Sequence, residues 1–412
     1  MKARGKPGPF TPVDLAVQCG RPLLLRQPFA ADAFDRVTLG CVNVIADEMN
    51  PARVAALRLG LGETMPAFTV QINCGSGMQS IDTAYRYIRE GGDDLILAGG
   101  AEALSHAPLV FNRRAVTWFA RLMGARDNWS KLKAMLGLRP AMLAPVIGLE
   151  RGLTDPITNL NMGQTAELVG HLFGISRRDA DDYAAQSQRR LAKAHAEGHF
   201  RGELEIAFAR DGTIFDHDDG VRPDSAVESL AKLKPAFERP WGKVTPGNSS
   251  QITDGASWVI LASEEAVKEH KLEPKAVIRD SEWSALDPSV MGLGPVFCST
   301  EILKRHGYGL DDIELWELNE AFAAQVLGCL AAWEDDEFCR KALGLPAAAG
   351  KIPRDRLNVD GGAIGTGHPV GASGNRIVLH LVNAMHRLGL KRGIATECIG
   401  GGQGGAMLIE MV

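Results

Sequence analysis

The chain has 412 residues, too many for one small domain and enough for two or three units with large cores. Apolar residues make up 45% and charged residues 23%, as in an ordinary globular protein, and a formal charge of −5 argues against a nucleic-acid binder. No apolar run approaches the ~18–20 residues of a bilayer crossing, and the basic, Pro- and Gly-rich first ten residues do not read as a secretory signal.

Short β-rich runs alternate with helical patterns, the signature of an α/β chain. Residues 37–39, 68–72 and 95–97 read as strands. Ile81, Ala84, Tyr85 and Ile88 follow the helical i, i+3, i+4, i+7 spacing, so a helix is expected after Cys74. A stretch of different character, richer in charge and helical pattern, runs from about 111 to 245 and includes a helix over 177–197. It reads as an inserted, mostly helical domain. The two ends of the chain look like distant copies of one unit. In the first, strand 68–72, turn 73–77 and a helix lead to strand 94–98, then Gly99 and Gly100. In the second, strand 357–359, a Gly-rich turn 361–374 and helix 376–388 lead to strand 393–396, then Gly400–Gly402.

The seven cysteines are Cys19, Cys41, Cys74, Cys298, Cys329, Cys339 and Cys398. An odd number, scattered and without a CxxC pair, speaks against both a disulfide framework and a zinc site. Five of them read as small buried hydrophobes. Cys74 and Cys398 stand in different surroundings.

Four segments place a reactive or polar side chain at the junction after an expected strand, where open α/β sheets tend to carry their sites. In Ile72-Asn73-Cys74-Gly75-Ser76-Gly77, Cys74 is expected to begin the helix. The helix N–H groups and dipole would then favour a thiolate and lower its pKa. The bland alternative is a buried cysteine in a tight turn. In Trp316-Glu317-Leu318-Asn319-Glu320-Ala321-Phe322, a strand over 313–315 precedes a helix over 321–330, which puts Asn319 near an N-cap; plain capping alone would explain it. In Gly361-Gly362-Ala363-Ile364-Gly365-Thr366-Gly367-His368-Pro369-Val370-Gly371, the glycine spacing fits neither a dinucleotide fingerprint nor a phosphate loop. A histidine held in such a loop suits a general base. In Cys398-Ile399-Gly400-Gly401-Gly402, glycine N–H groups could meet an oxyanion, or simply form a turn.

Taken in order and spacing, these segments resemble the thiolase family from about Asp35 to the C-terminus. Thr245-Pro246-Gly247-Asn248-Ser249-Ser250 resembles the family's pantetheine-binding segment, and Met291-Gly292-Leu293-Gly294-Pro295 another of its signatures. The resemblance implies a five-layered α-β-α-β-α fold built from a duplicated unit with an inserted helical loop domain. Its divisions would be 1–110 with 250–275 as the N-terminal half, 111–249 as the loop domain, and 276–412 as the C-terminal half.

The resemblance also implies roles. Cys74 would carry the acyl group as a thioester and His368 would accept its proton. Cys398 would move the proton at the α-carbon. Asn319, through a water and with His368, would form one oxyanion hole, and the N–H groups of Cys74 and Gly400 the other. Arg222, Ser229, Ser250, Met162 and Phe237 would contact coenzyme A. No metal and no permanently bound cofactor are implied; coenzyme A and acyl-CoA would be substrates, in fatty-acid β-oxidation and in the cytoplasm. A homodimer or homotetramer would be expected. Ketoacyl synthases pair cysteine with two histidines and hydroxymethylglutaryl-CoA synthases use Cys, Glu and His; neither is expected to place a second cysteine as Cys398 stands here.

Two departures from the family stand out. The chain starts after the strand that usually opens these proteins, and Asn161 stands where short-chain biosynthetic members usually have His. The 111–139 stretch also holds seven basic residues against one acid, Asp127. Ala115, Trp118, Leu122, Ala125, Trp129, Leu132 and Leu136 draw an apolar stripe along a broken helical pair. Such a stretch suits a membrane surface or a partner α subunit, as in β subunits of the trifunctional complex, unless the stripe packs on its own domain.

Overall fold

A computed structural model describes residues 1–3 and 6–412. Helix α1 (Pro12–Leu25) opens on a reciprocal cap: Thr11 Oγ1 accepts from Asp14 N at 3.1 Å while the Asp14 carboxyl accepts from Thr11 N at 3.2 Å. Strand β1 (Arg36–Gly40), helix α2 (Pro51–Leu59), strand β2 (Ala67–Val70), helix α3 (Ser76–Arg89) and strand β3 (Leu95–Ala103) follow. The middle of the chain contributes helices α4 (Arg113–Gly124), α5 (Asn128–Leu136), α6 (Met162–Leu172) and α7 (Arg177–Glu197). Helix α7 has the bounds expected from sequence. Ser176 and Asp179 close a capping box at its start, and Gly198, at φ 72°, ends it in the left-handed region.

The chain then returns as strands β4 (Asp254–Ala262) and β5 (Ala276–Ala285), helix α8 (Gly294–His306), strand β6 (Leu315–Leu318), helices α9 (Ala323–Glu334) and α10 (Val370–Leu388), and strands β7 (Arg392–Ile399) and β8 (Gln403–Met411). One sheet has the order β2-β1-β3-β4 and the other β6-β7-β8-β5. Both contain a parallel pair (β1·β3, β6·β7) followed by an antiparallel neighbour (β4, β8). Strand 357–359 was expected as the counterpart of β2. Only Leu357 pairs, in a parallel bridge to Trp316 of β6, because Asn358 turns into the left-handed region at φ 45°. The duplicated unit is therefore β2–α3–β3 and Leu357–α10–β7.

Core packing stacks these elements in five layers. Helices α1 and α2 cover the outer face of the first sheet through Val13, Ala52 and Ala55 against Val37 and Leu39. Helices α3 and α10 lie between the sheets, joining Met78, Ile81, Ile377 and Leu381 to Ile96 of one sheet and Ala395 and Met407 of the other. Helices α8 and α9 cover the outer face of the second sheet around Trp316 and Trp333.

The two sheets differ at one edge. Strand β5 pairs with β8 along its whole length, whereas beyond Asp254 the corresponding edge of β4 has no strand partner among the described residues. Only the first residues reach it: Lys2 bridges Thr253, and Asp254 N donates to Met1 O at 2.8 Å. A groove of about 180 Å³ lined by Trp258, Arg376 and His380 runs beside this edge.

The middle segment splits the apolar stripe in two. Trp118 donates its Nε1 to Ala134 O at 2.7 Å, and Ala115, Trp118, Leu122 and Ala125 lie in the hairpin between α4 and α5. Trp129 and Leu136 remain 74% and 79% exposed, joined by Phe111, Val116, Met123 and Met135. Arg113, Arg114, Arg121 and Lys133 line an open groove on the same hairpin. Asp127, the segment's only acid, caps α5 through Ser130 N at 2.8 Å.

The contact between the halves is testable. A Cβ on Gly100 would overlap the backbone of Gly371 and Ala372, which no rotamer change relieves. Gly100→Ala should destabilise the fold by about 1–3 kcal/mol in urea titrations. Gly124→Ala, where a Cβ meets open space on a helix, should leave the midpoint unchanged or raise it. Equal midpoints for both would contradict this packing.

Candidate active site

Four loops meet where the central helices begin. The turn before α3 is tied by Ser76, whose hydroxyl donates to Asn73 O at 2.7 Å and accepts from Ile72 N at 2.9 Å. Asn73 takes the left-handed φ of 46° and donates its Nδ2 to Gly400 O at 2.8 Å, so the Cys74 turn and the Cys398–Gly402 loop are joined directly. Cys74 does not begin the helix as expected: Gly75 is its N-cap and Ser76 its first residue. The expected fall in thiol pKa does not occur either. Burial pushes Cys74 up to about 12, against a hydrogen bond from Gly400 N–H that works the other way. The resting side chain is a neutral thiol and needs a base.

His368 offers an imidazole on the glycine-rich loop ahead of α10. Its backbone N donates to Gln251 O at 3.0 Å, which straps it to the Thr245–Gln251 segment. Its Nδ1 lies 2.6 Å from Ser373 Oγ. The Ser373 hydroxyl donates to Pro369 O at 3.2 Å, so it must accept from His368 Nδ1–H. The lone pair is then on Nε2, which is buried and has no protein partner. Burial, with the nearby Arg376 cation, lowers the ring to about 4 and keeps it neutral at neutral pH.

Cys398 is 1% exposed and packs against Met291 and Ala321, beside Met162 and Phe322. Burial first, and then the neighbouring Cys74, push its thiol well above the ordinary range, which leaves it protonated and able to give a proton.

Asn319 is not an N-cap. Helix α9 starts four residues later with Phe322 as its cap, and Asn319 lies in the turn after β6 with its N donating to Thr396 O at 2.9 Å. Both Oδ1 and Nδ2 are buried without a partner. An unpaired buried amide costs about 1–3 kcal/mol per group, which marks this one as waiting for a water or ligand.

The residues expected to meet coenzyme A divide. Met162 begins α6 with its sulfur over Gly400, Phe237 faces Phe322 with ring centroids 6.3 Å apart, and Ser250 N donates to Ala321 O at 2.9 Å. These three line one approach to Gly400 and Phe322. Arg222 and Ser229 are exposed on the surface; Arg222 N donates to Gln188 Oε1 at 2.8 Å, and Ser229 Oγ donates to Ala226 O at 2.7 Å. Asn161, the departure from the family, is the cap of α6: its side chain accepts from Gln164 N at 3.0 Å.

Sequence reasoning missed Ser373, which sets the His368 tautomer, although its place one turn into α10 was a legible signal. It also missed Glu102. This buried carboxyl accepts from Val42 N, Asn43 N and Gly371 N at 2.9–3.1 Å and holds the start of α10 to the first sheet. Burial pushes it up to about 7. Glu102 lies 269 residues from Gly371, and no local pattern announces the pairing.

Residues 2–265 match the thiolase N-terminal domain and residues 272–411 the thiolase C-terminal domain. The chain is 38% identical over 378 residues to an acetyl-CoA acetyltransferase of Chromobacterium violaceum, covering 91% of this chain and 87% of that one. It is 37% identical over 403 residues to a 3-ketoacyl-CoA thiolase of Aliivibrio fischeri, covering 96% and 92%. The human mitochondrial 3-ketoacyl-CoA thiolase in complex with CoA superposes with a TM-score of 0.83 at 35% identity, covering 98% of this chain and 93% of that one. An acetyl-CoA acetyltransferase of Bacillus anthracis does so at 0.82 and 34%, with the same coverage. The fold and the sequence together define an acyltransferase, and the chain belongs to the thiolase family.

The depressed His368 has a stability consequence. Below pH 6.5 the unfolded ring takes up a proton that the native ring refuses until about pH 4, so native stability falls as pH drops through that window. Between pH 7 and pH 4.5 the wild type should lose about 2–3 kcal/mol more than His368→Gln, measured by urea unfolding at both pH values. Parallel losses would mean that His368 is not held neutral by burial.

Proposed function

We propose that the chain cleaves 3-oxoacyl-CoA with coenzyme A, and runs the reverse Claisen condensation, within fatty-acid β-oxidation. The observation that carries this reading is that Asn73 ties the loop of a neutral thiol, Cys74, to that of a second, buried thiol, Cys398, while the close packing of α3 on α10 brings up His368 with its free Nε2. Two proton transfers at different atoms need two acid–base groups, and a covalent acyl carrier needs a third. The substrate assignment draws further support from relatives named as 3-ketoacyl-CoA thiolase and acetyl-CoA acetyltransferase, and from the structural neighbour solved with CoA.

The chemistry follows from these roles. His368 Nε2 takes the Cys74 proton as the sulfur bonds to the 3-oxo carbon. The C2–C3 bond breaks, and its electron pair passes to C2 and the thioester oxygen as an enolate. Cys398 protonates C2 and acetyl-CoA leaves. The thiol of coenzyme A then displaces Cys74 from the acyl carbon; its proton restores Cys398, and His368 returns its own to Cys74. A water held by Asn319, together with His368, stabilises the enolate oxygen, and the N–H groups of Cys74 and Gly400 the tetrahedral oxyanion. Met162, Phe237 and Ser250 border the pantetheine path, and Arg222 and Ser229 wait further out for the nucleotide end. Residues 111–249 act as the loop domain that covers the bound cofactor, between an N-terminal half of 1–110 with 250–275 and a C-terminal half of 276–412. Seven unpaired cysteines suit a reducing compartment such as the cytoplasm.

Labelled acetyl-CoA tests the division of labour. Wild type and Cys398→Ala should both carry label on Cys74, while Cys398→Ala loses thiolysis by at least about a hundredfold. Cys74→Ser should lose both. Label on another cysteine, or loss of labelling together with turnover in Cys398→Ala, would overturn these roles.

The 111–139 hairpin supports a second reading, of place rather than chemistry. Its exposed Trp129, Leu136 and Met123 beside Arg113, Arg114, Arg121 and Lys133 suit docking on an anionic membrane surface. An α subunit of a β-oxidation complex would use the same face; the homodimer or homotetramer expected of the chain is a separate assembly. Wild type should sediment with vesicles containing phosphatidylserine, and Trp129→Ser/Leu136→Ser should not. Failure of the folded, active wild type to bind would remove the membrane and leave the protein partners.

A further inference from the structure

Glu320 is 1% exposed and follows Asn319 directly. Its Oε1 accepts from Tyr183 Oη at 2.9 Å and from Asn358 Nδ2 at 3.1 Å; its Oε2 accepts from Ser187 Oγ at 2.6 Å and from Ile364 N at 3.2 Å. Four donors thus converge on one carboxylate from helix α7, from Asn358 and from the glycine loop that leads to His368. Each partner is itself fixed. Asn358 clamps Leu318 by accepting from its N at 2.9 Å and donating to its O at 2.8 Å, and Ser187 Oγ accepts from Gly362 N at 3.2 Å.

Asn319 has no such anchor. Its side-chain amide has no protein partner, so only its backbone sets where the amide points. That backbone is held on one side by Thr396 O and turns tightly on the other, with Ala321 N donating to Asn319 O at 3.1 Å. The residue inside this turn is Glu320.

We propose that Glu320 is a positioning residue that aims the Asn319 amide, and through it the water it holds, at the enolate oxygen during carbon–carbon bond cleavage. The proposal rests on the reading of Asn319 as the enolate-stabilising group. The network explains why a carboxylate is required rather than any polar group of that shape. Tyr183 and Ser187 are hydroxyls and can turn to accept. The Ile364 N–H cannot, and it faces Oε2; Asn358 Nδ2 faces Oε1 but shares its two protons with Leu318 O and Tyr183 Oη. A glutamine with its NH₂ in the Oε2 place meets a fixed donor, and one with it in the Oε1 place removes the acceptor used by Tyr183 Oη and Asn358 Nδ2, so either orientation breaks hydrogen bonds that hold the turn.

The test separates the two half-reactions. Glu320→Gln should lower the kcat of thiolysis about tenfold to a hundredfold, less than the 10²–10³ that outright loss of an oxyanion donor costs. The rate of acetyl transfer from labelled acetyl-CoA to Cys74, and KM for the acyl-CoA, should stay within about twofold of wild type. The double variant Asn319→Ala/Glu320→Gln should be no slower than Asn319→Ala alone, because Glu320 acts through Asn319. Ser187→Ala, which removes one donor and keeps the carboxylate, should show the same split at smaller amplitude, and it decides the matter if Glu320→Gln does not fold. Equal loss of acetyl transfer and thiolysis, no loss of either, or additive losses in the double variant would overturn the proposal. Absence of label on Cys74 in the wild type would instead overturn the catalytic reading beneath it.

Discussion

Helices α3 and α10 touch backbone to backbone between the two sheets, and the site exists because they do. A Cβ on Gly77 would strike Asn375 N, and one on Gly374 would strike Met78 N. With side chains at these places the helices would separate, and their N-termini would carry Cys74 and His368 apart. The contact also explains why the first turns of both helices carry glycine. The glycines serve close packing of the central layer at least as much as access for a substrate.

Burial then sets the chemistry of the groups brought together. The same low-polarity interior that raises the Cys74 and Cys398 thiols lowers the His368 imidazole, so all three rest uncharged. Charge appears only when a proton moves between them. An enclosed neutral set of this kind avoids the cost of burying an ion pair while the enzyme waits for substrate. The unpaired Asn319 amide and His368 Nε2 are the complementary feature: buried polar atoms left without protein partners and open to a water or ligand.

Much of this was legible in the sequence. Ser176, Asp179 and Gly198 fixed both ends of the 177–197 helix through local capping chemistry. The periodicity after Cys74 gave α3, and the order of four glycine-rich segments gave the family and its fold. Other readings failed for physical reasons. Cys74 lies ahead of the helix, not in it, because the Ser76 hydroxyl closes a turn first. The apolar stripe over 111–139 looked continuous, yet Trp118 packs inside the hairpin while Trp129 faces outward. Helical spacing does not say where one helix ends its contact with the next.

By itself the sequence determined the local elements, the duplicated unit and the family, because capping, periodicity and motif order are written in neighbouring residues. Tertiary structure alone decided the direction of the cysteine and histidine pKa shifts, the tautomer of His368 and the four donors around Glu320. These depend on what surrounds a side chain in space. Tyr183 reaches Glu320 across 137 residues and Glu102 reaches Gly371 across 269, distances at which no sequence pattern records a hydrogen bond.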